Sequence, residues 1–497
     1  MSYVLGIDIG TSSLKGIILN QKGEVKATES SQYDVNYPYP NFSEQDPKQW
    51  IRALKEVLKK LNAHHEGILA KIAGISFSGQ MHSLVLLDEL GEVIRPAILW
   101  NDTRTFKECK EIKEKMGSKI LQITKNIPLE GFTLPKVLWV KKNEPGNWKR
   151  VWKMLLPKDY VRYWLTGAIH MDFSDASGTL MFNPETKEWS QEILNKFDIS
   201  PDIMPTPVSS QQEVGKIKSN IAREFSISPN VSVFAGGADN ACAALASGVI
   251  EKQDAMVSIG TSGVFLSYEE KITNNYDGKL HYFCHVIPER YYSMGVTLSA
   301  GNSLKWFKET FATEKTYSEL LANIHEVPPG SHGLVFTPFI TGERTPYFDP
   351  DIKGAFIGIS AQHTLDDFGR SVVEGITFSL RESQELLQKE TGRVYEKIVS
   401  VGGGAKNPDW LQIQSDVFQS NVYSLETEEG PGYGAAMIAA VGIGWFATFE
   451  ECSKEFVQQQ KMVTPHAENI DKYNTVFNIY KQIYRKTAGI SRLLKNI

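Results

Sequence analysis

Apolar residues at the start of the chain fall in short β-like runs, and their order sets the architecture. Residues 3–8 form one run and 14–19 another, joined by Ile9-Gly10-Thr11-Ser12-Ser13. A turn at 20–23 leads into a third strand from Glu24 onward. Asp46-Pro47 then supplies a cap residue and a proline at the first helical position. Beyond it Trp50, Ile51, Leu54, Val57, Leu58 and Leu61 recur at helical spacing, which predicts a helix with one buried face. Residues 72–76 return as a strand. Strand, hairpin, third strand, helix, strand predicts a mixed α/β unit.

That order recurs in the second half. Residues 255–259 read as a strand, Gly260-Thr261-Ser262-Gly263 as a tight turn, and 264–267 as the return strand. A third strand at 291–296 and an amphipathic helix at 303–311 follow. The turn residues recur as well: Asp8-Ile9-Gly10-Thr11-Ser12 is matched by Ser258-Ile259-Gly260-Thr261-Ser262, with serine in place of the carboxylate. A duplication of this period predicts two α/β domains facing each other across a cleft. The join is expected near 247–254, dividing the chain into 1–247 and 248–497. The C-terminal segment 472–494 has helical spacing and is expected to pack back across both domains.

Just before the join, residues 231–234 read as a β-branched strand, followed by Ala235-Gly236-Gly237-Ala238, then Asp239-Asn240 and a small-residue helix. A helix N-terminus offers unpaired N–H groups and a positive dipole end. Asp239 is therefore expected to stay ionised at the crevice, as a helix cap or as a catalytic carboxylate.

Composition narrows the class without naming a function. Hydrophobic residues are 41% and charged residues 22% of 497, as in ordinary globular proteins. A formal net charge of −5 provides no basic field for nucleic acid or an anionic membrane. The longest near-apolar run, 434–447, is too short to span a bilayer. Residues 1–8 show neither the basic nor the apolar region of a signal peptide. Cys109, Cys242, Cys284 and Cys452 are scattered, as expected for free thiols in a reducing cytoplasm.

The candidate chemistry centres on phosphate. Glycine and hydroxyl residues at both hairpin tips allow successive N–H groups to form an anion nest, and Lys15 follows the first tip. No GxxxxGK[ST] run is present, which excludes a P-loop. Gly402-Gly403-Gly404 precedes a helix expected at 409–418 and suits close approach to a nucleotide, or simply a tight turn. Gly430-Pro431-Gly432-Tyr433-Gly434-Ala435 fits the letter of a dinucleotide fingerprint. The acidic stretch 426–429 separates it from its strand, so it reads instead as a loop feeding a helix at 435–441. Gln80-Met81-His82-Ser83 and Trp100-Asn101-Asp102 each follow a strand and suit hydrogen bonding to a polyol.

At these residues the chain resembles the FGGY carbohydrate kinases over its whole length. Gly131-Phe132-Thr133-Leu134-Pro135-Lys136-Val137-Leu138-Trp139 is similar to one family signature. Gly354-Ala355-Phe356-Ile357-Gly358-Ile359, continuing to Val372-Val373-Glu374, is similar to the other. Further similarity lies in Leu156-Pro157-Lys158-Asp159-Tyr160, Ser174-Asp175-Ala176-Ser177-Gly178-Thr179 and Thr341-Gly342-Glu343-Arg344-Thr345-Pro346.

The resemblance implies two RNase H-like, actin-like ATPase domains, the first holding sugar and base and the second the nucleotide. It implies ATP-dependent phosphorylation of a sugar, with Mg²⁺, and is nearest to members acting on D-xylulose. Gluconate, ribulose and other polyols are the alternatives, because Ser83 stands where glycine is frequent and a Met-His-Ser run occurs in gluconate kinases. Asp239 matches the family's general base and Asp8 the carboxylate that holds the metal, with Asp239 also beside it. Gln80, Met81, His82, Trp100, Asn101, Asp102 and Asn240 match the sugar side. Thr11, Ser12, Lys15, Gly260, Thr261, Gly301, Lys305, Gly403, Gly404 and Asn407 match the ATP side. A homodimer is common in the family.

Overall fold

The structure, a computed structural model, describes residues 2–272, 276–426 and 429–495. Two seven-stranded mixed sheets organise it. The path through the first runs Glu213–Lys216, Ser232–Phe234, Ile72–Gly79, Tyr3–Ile9, Ser13–Leu19, Val25–Gln32, with the short strand Gly237–Ala238 also paired to Ile72–Gly79. The path through the second runs Gln459–Val463, Asn421–Leu425, Lys397–Gly402, Asp254–Ile259, Gly263–Glu269, Tyr291–Thr297, His281–Cys284.

The six matching strands keep one pattern. An antiparallel three-strand meander joins two parallel strands, and an antiparallel edge strand closes that side. The repeat read in the sequence is thus a repeat of sheet order. Its register differs at one place. Ile9 pairs with Leu14 but Ile259 pairs with Gly263, so the first hairpin is one residue longer. Strand His281–Cys284 lies outside the repeat and was not among the expected elements.

Helix Pro47–His64 forms where the capping pattern predicts it, with the Asp46 carboxylate accepting from the Lys48 amide. It covers one side of the first sheet, and the Val57 side chain sits 2.8 Å from where a Cβ on Gly16 would be. Helix Pro431–Gly442, from the second half of the chain, crosses the strand Tyr3–Ile9. A Cβ on Gly6 would lie 2.0 Å from the Gly432 carbonyl oxygen, so only glycine admits this crossing. The same helix packs on helix Asp239–Ala246, where a Cβ on Gly434 would meet the Cys242 carbonyl oxygen at 2.0 Å. The two helices follow matching strands of the two sheets, Asn421–Leu425 and Ser232–Phe234.

Two expectations change here. The 430–435 cluster is not a loop feeding a later helix: the helix begins at Pro431, and its glycines serve helix packing. The C-terminal helix, Ala467–Leu494, does not lie across both halves. It packs chiefly on helices Leu365–Thr391 and Pro408–Phe418 and strand Val335–Thr337, burying Tyr473, Phe477, Tyr480 and Ile483. All four cysteines are free and buried. No described helix is long and apolar enough to cross a membrane.

Candidate active site

The first hairpin is pinned from behind. Tyr33 donates its hydroxyl to the Gly10 carbonyl at 2.7 Å, Gln45 its amide to the Thr11 carbonyl at 2.6 Å, and the Tyr33 N–H binds the Ser12 carbonyl at 3.0 Å. With its carbonyls engaged, the hairpin offers N–H groups and hydroxyls on its other side, the polarity that an anion requires. In the second hairpin the Gly260 carbonyl accepts from the Gly301 amide at 2.7 Å. The Thr261 carbonyl accepts from the amides of Ala300 at 3.0 Å and Asn302 at 3.1 Å. Helix Gly301–Phe311 thereby docks directly on the turn, and a Cβ on Gly301 would lie 2.4 Å from the Gly260 oxygen.

Beside this second hairpin opens a cavity of about 600 Å³. Gly260, Thr261, Gly301, Lys305, Gly403, Gly404 and Asn407, which are far apart in sequence, all line it. Its size falls within the usual range for small-molecule sites. The Asn407 side chain caps helix Pro408–Phe418 by accepting from the Trp410 amide at 2.9 Å. Tyr317, Ser318, Leu321 and Trp410 also line it. They were not anticipated, since nothing local in the sequence marks them.

Asp239 is the first residue of helix Asp239–Ala246, with Ala238 in the cap position. It is therefore not the N-cap. Its Oδ1 accepts from the Asn240 amide at 2.7 Å and from Asn240 Nδ2 at 2.9 Å. The expectation that the helix end keeps it ionised does not hold. Burial, reinforced by the neighbouring Asp8 carboxylate, pushes its carboxyl up to about 7, outweighing the Asn240 hydrogen bonds. Asp239 and Asn240 line a smaller cavity of about 230 Å³ whose other walls include Ser258, Gly402 and Glu429. Residues of both halves thus meet at the carboxylate.

Asp8 sits across the strand pair from Lys15. Burial raises its carboxyl to about 6, against the pull of the Ser78 hydroxyl and the Lys15 ammonium. Lys15 itself forms an ion pair with Glu429, a partner that sequence reading did not anticipate. Two carboxylates whose proton affinity is raised by burial, that of Asp239 further by the Asp8 charge, suit a divalent cation. Magnesium bound through one or two carboxylates plus substrate phosphates needs no larger protein cage. No cluster of three or more metal-ligating side chains occurs among the described residues.

The segment Gln80–Ser83 lies at the end of strand Ile72–Gly79. His82 has a positive φ of 67°, rare for a residue with a side chain. Its carbonyl accepts from Thr133 Oγ1 and Lys136 Nζ, both at 3.1 Å. These donors come from helix Thr133–Asn143, within the first signature run. His82 Nδ1 lies 2.6 Å from the Gly178 carbonyl. A carbonyl only accepts, so Nδ1 carries the proton and Nε2 is left as an acceptor. Burial, the Lys136 charge and the nearby Arg344 push the ring down to about 3, overcoming the Gly178 hydrogen bond, and keep it neutral.

Met81 is buried, its sulfur 3.8 Å from Asn240 Nδ2 and 3.7 Å from the Tyr292 hydroxyl. Trp100 donates its indole N–H to Thr11 Oγ1 at 2.9 Å, joining the two candidate sides of the site. Asn101 is exposed. Asp102 is fully buried, with its carboxylate bound by Arg104 at 2.6 Å and by the Ser43 amide at 2.6 Å, so it braces the Trp100 loop.

A further brace escaped the sequence reading. Lys158 is fully buried and contacts Asp159, Asp172 and Asp175 at 2.7, 2.8 and 2.9 Å. Ser174 Oγ, bonded to Asp172, accepts from the Ala238 amide at 2.8 Å, and Arg162 donates to the Ala235 carbonyl. The Ala235–Ala238 turn before Asp239 is thereby held by a buried ionic network. The runs Leu156–Tyr160 and Ser174–Thr179 stand out in the sequence by their family similarity, but nothing local in them pairs Lys158 with three aspartates.

The chain matches the FGGY family of carbohydrate kinases, N-terminal domain, over residues 3–246 and the C-terminal domain over 255–443. It is 50% identical over 495 residues to a xylulose kinase of Lactococcus lactis, covering 99% of each chain. It is 47% identical to a xylulose kinase of Bacillus subtilis, covering 100% of this chain and 99% of the relative. The fold superposes on a ligand-bound xylulose kinase of Lactobacillus acidophilus with a TM-score of 0.93, at 25% identity, covering 98% and 99% of the two chains. With both signature runs in place and both halves of the repeat matched, the protein belongs to the FGGY family of carbohydrate kinases.

Proposed function

We propose that this protein transfers the γ-phosphoryl group of ATP to the 5-hydroxyl of D-xylulose, in the cytoplasm, with 1–247 acting as the sugar domain and 248–497 as the nucleotide domain. The observation that carries the reading is Asp239. One carboxylate oxygen is held by Asn240, and the group as a whole is held near neutrality at the meeting of the two halves. A base with this affinity suits proton removal at physiological pH.

In this reading the adenine and ribose occupy the 600 Å³ cavity, with Gly260, Thr261, Gly301, Lys305, Gly403, Gly404 and Asn407 around them. The two hairpins face the phosphates through Thr11, Ser12 and Thr261. Lys15 exchanges Glu429 for phosphate. Magnesium arriving with the nucleotide, held beside Asp8 and Asp239, would supply neutralisation of phosphate charge. His82 Nε2 accepts a hydrogen bond from a sugar hydroxyl; Gln80, Met81, Trp100, Asn101 and Asn240 shape the pocket, and Asp102 holds the Trp100 loop. Asp239 orients the 5-hydroxyl and receives its proton as the new O–P bond forms. The bond from γ-phosphorus to the bridging oxygen breaks, and ADP leaves with that electron pair. Such a transition state needs positioning and charge neutralisation more than covalent assistance. Water competes as acceptor, so closure of the halves over the sugar favours transfer.

The test is ADP release with Mg·ATP against D-xylulose, D-ribulose, L-ribulose, D-gluconate and glycerol. The reading requires the highest kcat/KM with D-xylulose. Preference for another sugar would move the specificity and leave the chemistry in place.

A further inference from the structure

The hydrogen bond between Trp100 and Thr11 belongs to a closed circuit. Ser83, fully buried, accepts from the Trp100 amide at 3.0 Å and donates to Gln80 Oε1 at 3.1 Å. Gln80 Nε2 reaches the Gly10 carbonyl at 3.3 Å and Gln45 Oε1 at 3.4 Å. Gln45 Nε2 holds the Thr11 carbonyl at 2.6 Å, and Trp50 Nε1 secures Gln45 Oε1 at 3.1 Å. The Trp100 indole returns to Thr11 Oγ1 at 2.9 Å. Gln80, Gln45 and Trp50 are almost wholly buried, whereas Trp100 and Thr11 remain partly open.

Donor logic gives this circuit a direction. An indole N–H only donates, so the Thr11 hydroxyl must accept from it, and its own proton is left to donate elsewhere. The position of Trp100 therefore decides where the Thr11 O–H points. Ser83 in turn decides where the Trp100 backbone sits, because the half-buried amide has the Ser83 hydroxyl as its partner.

We propose that Ser83 is a positioning residue which, through Trp100, ties occupancy of the sugar side to the donor that Thr11 presents on the phosphate side. The two substrates consequently bind cooperatively. A sugar packed on the open part of Trp100 restricts the ring, the ring restricts the Thr11 hydroxyl, and a phosphate meets a donor already oriented. By linkage the nucleotide strengthens sugar binding by the same factor. The inference rests on the kinase reading above.

The experiment measures, by calorimetry, the Kd of the Mg-bound β,γ-imido analogue of ATP without and with saturating D-xylulose. It compares the parent with Ser83→Ala and Trp100→Phe, alongside D-xylulose-dependent turnover and thermal midpoints. Trp100→Phe keeps an aromatic face, though a smaller one, and removes the N–H donor, so it answers the question even if Ser83→Ala fails to fold. In the parent the sugar should tighten the analogue about fivefold or more. In both variants that ratio should fall to about one, with the sugar KM of Ser83→Ala raised roughly tenfold for the unpaired Trp100 amide. Folded variants that keep the parent's ratio would overturn the proposal, as would a parent with a ratio of one. Absence of parental turnover with D-xylulose would instead count against the kinase reading for that sugar.

Discussion

The two Gly-Thr-Ser hairpins occupy matching places in matching sheets, yet they are held by different means. The first is pinned by side chains brought from elsewhere in the N-terminal half: Tyr33, Gln45 and Gln80. The second is pinned by the backbone of the helix that follows it, through Ala300, Gly301 and Asn302. The first also carries Asp8 and receives the Trp100 indole, where the second has Ser258 and lines the large cavity. One hairpin is wired to the Gln80 and Trp100 segments and the other to the 600 Å³ cavity. A duplicated element has thus kept its fold while its supports, and with them its chemistry, diverged.

The widest split between the halves should appear at the heads of the two packed helices. One begins with Asp239-Asn240 and the other with Pro431-Gly432, capped by Gly430. Asp239→Asn should lower kcat by about 10²–10⁴-fold, the range for a lost general base, while sugar KM changes only a few-fold. Normal turnover in this variant would remove Asp239 from the chemistry. Next comes the Asp8–Ser258 pair. Asp8→Ala should cost about 10²–10³-fold in kcat and raise the Mg²⁺ concentration for half-maximal rate, as expected when a charge-stabilising group is lost. Ser258→Ala should leave the metal titration within about twofold, since a serine hydroxyl contributes no charge. Equal effects at both positions would erase the asymmetry.

The pH profile should carry the same signature. As the proposed base, Asp239 must lose its proton to act, and its carboxyl is raised to about 7 in the folded protein. kcat/KM should therefore fall about tenfold per pH unit below pH 7 and level off above it. A profile flat down to pH 5 would contradict burial as the controlling influence.

Smaller effects are expected where packing alone is altered. Gly301→Ala puts a Cβ 2.4 Å from the Gly260 oxygen, which forces the helix off the second hairpin. It should cost about 1–3 kcal/mol in stability and raise the ATP KM without altering the sugar KM. Gly10→Ala meets its nearest contact at 3.1 Å and should be the milder of the two. Last, Glu429→Gln releases Lys15 from a partly exposed ion pair. Such pairs contribute about 0–1 kcal/mol, so the ATP KM should shift by less than about fivefold.

Much of this site is legible in the chain because its determinants are local. Short apolar runs, a proline after Asp46 and repeated Gly-Thr-Ser turns dictate strands, helix and hairpins whatever surrounds them. The family resemblance likewise singles out seven residues that line the large cavity, though not Tyr317, Ser318, Leu321 or Trp410. Three features depend on partners hundreds of residues away. Lys15 meets Glu429, Gly6 makes room for a helix from the other half, and burial together with Asp8 sets the proton affinity of Asp239. A helix dipole can be read from a sequence, and on that ground alone Asp239 is an ionised carboxylate. Desolvation belongs to the assembled protein, and here it outweighs the Asn240 hydrogen bonds. Sequence by itself determined the repeated sheet, its turns and the residue types of the site. Only the tertiary structure decided which of those residues carry charge, which act as braces and which face one another, because charge and hydrogen bonding depend on what the fold removes from water.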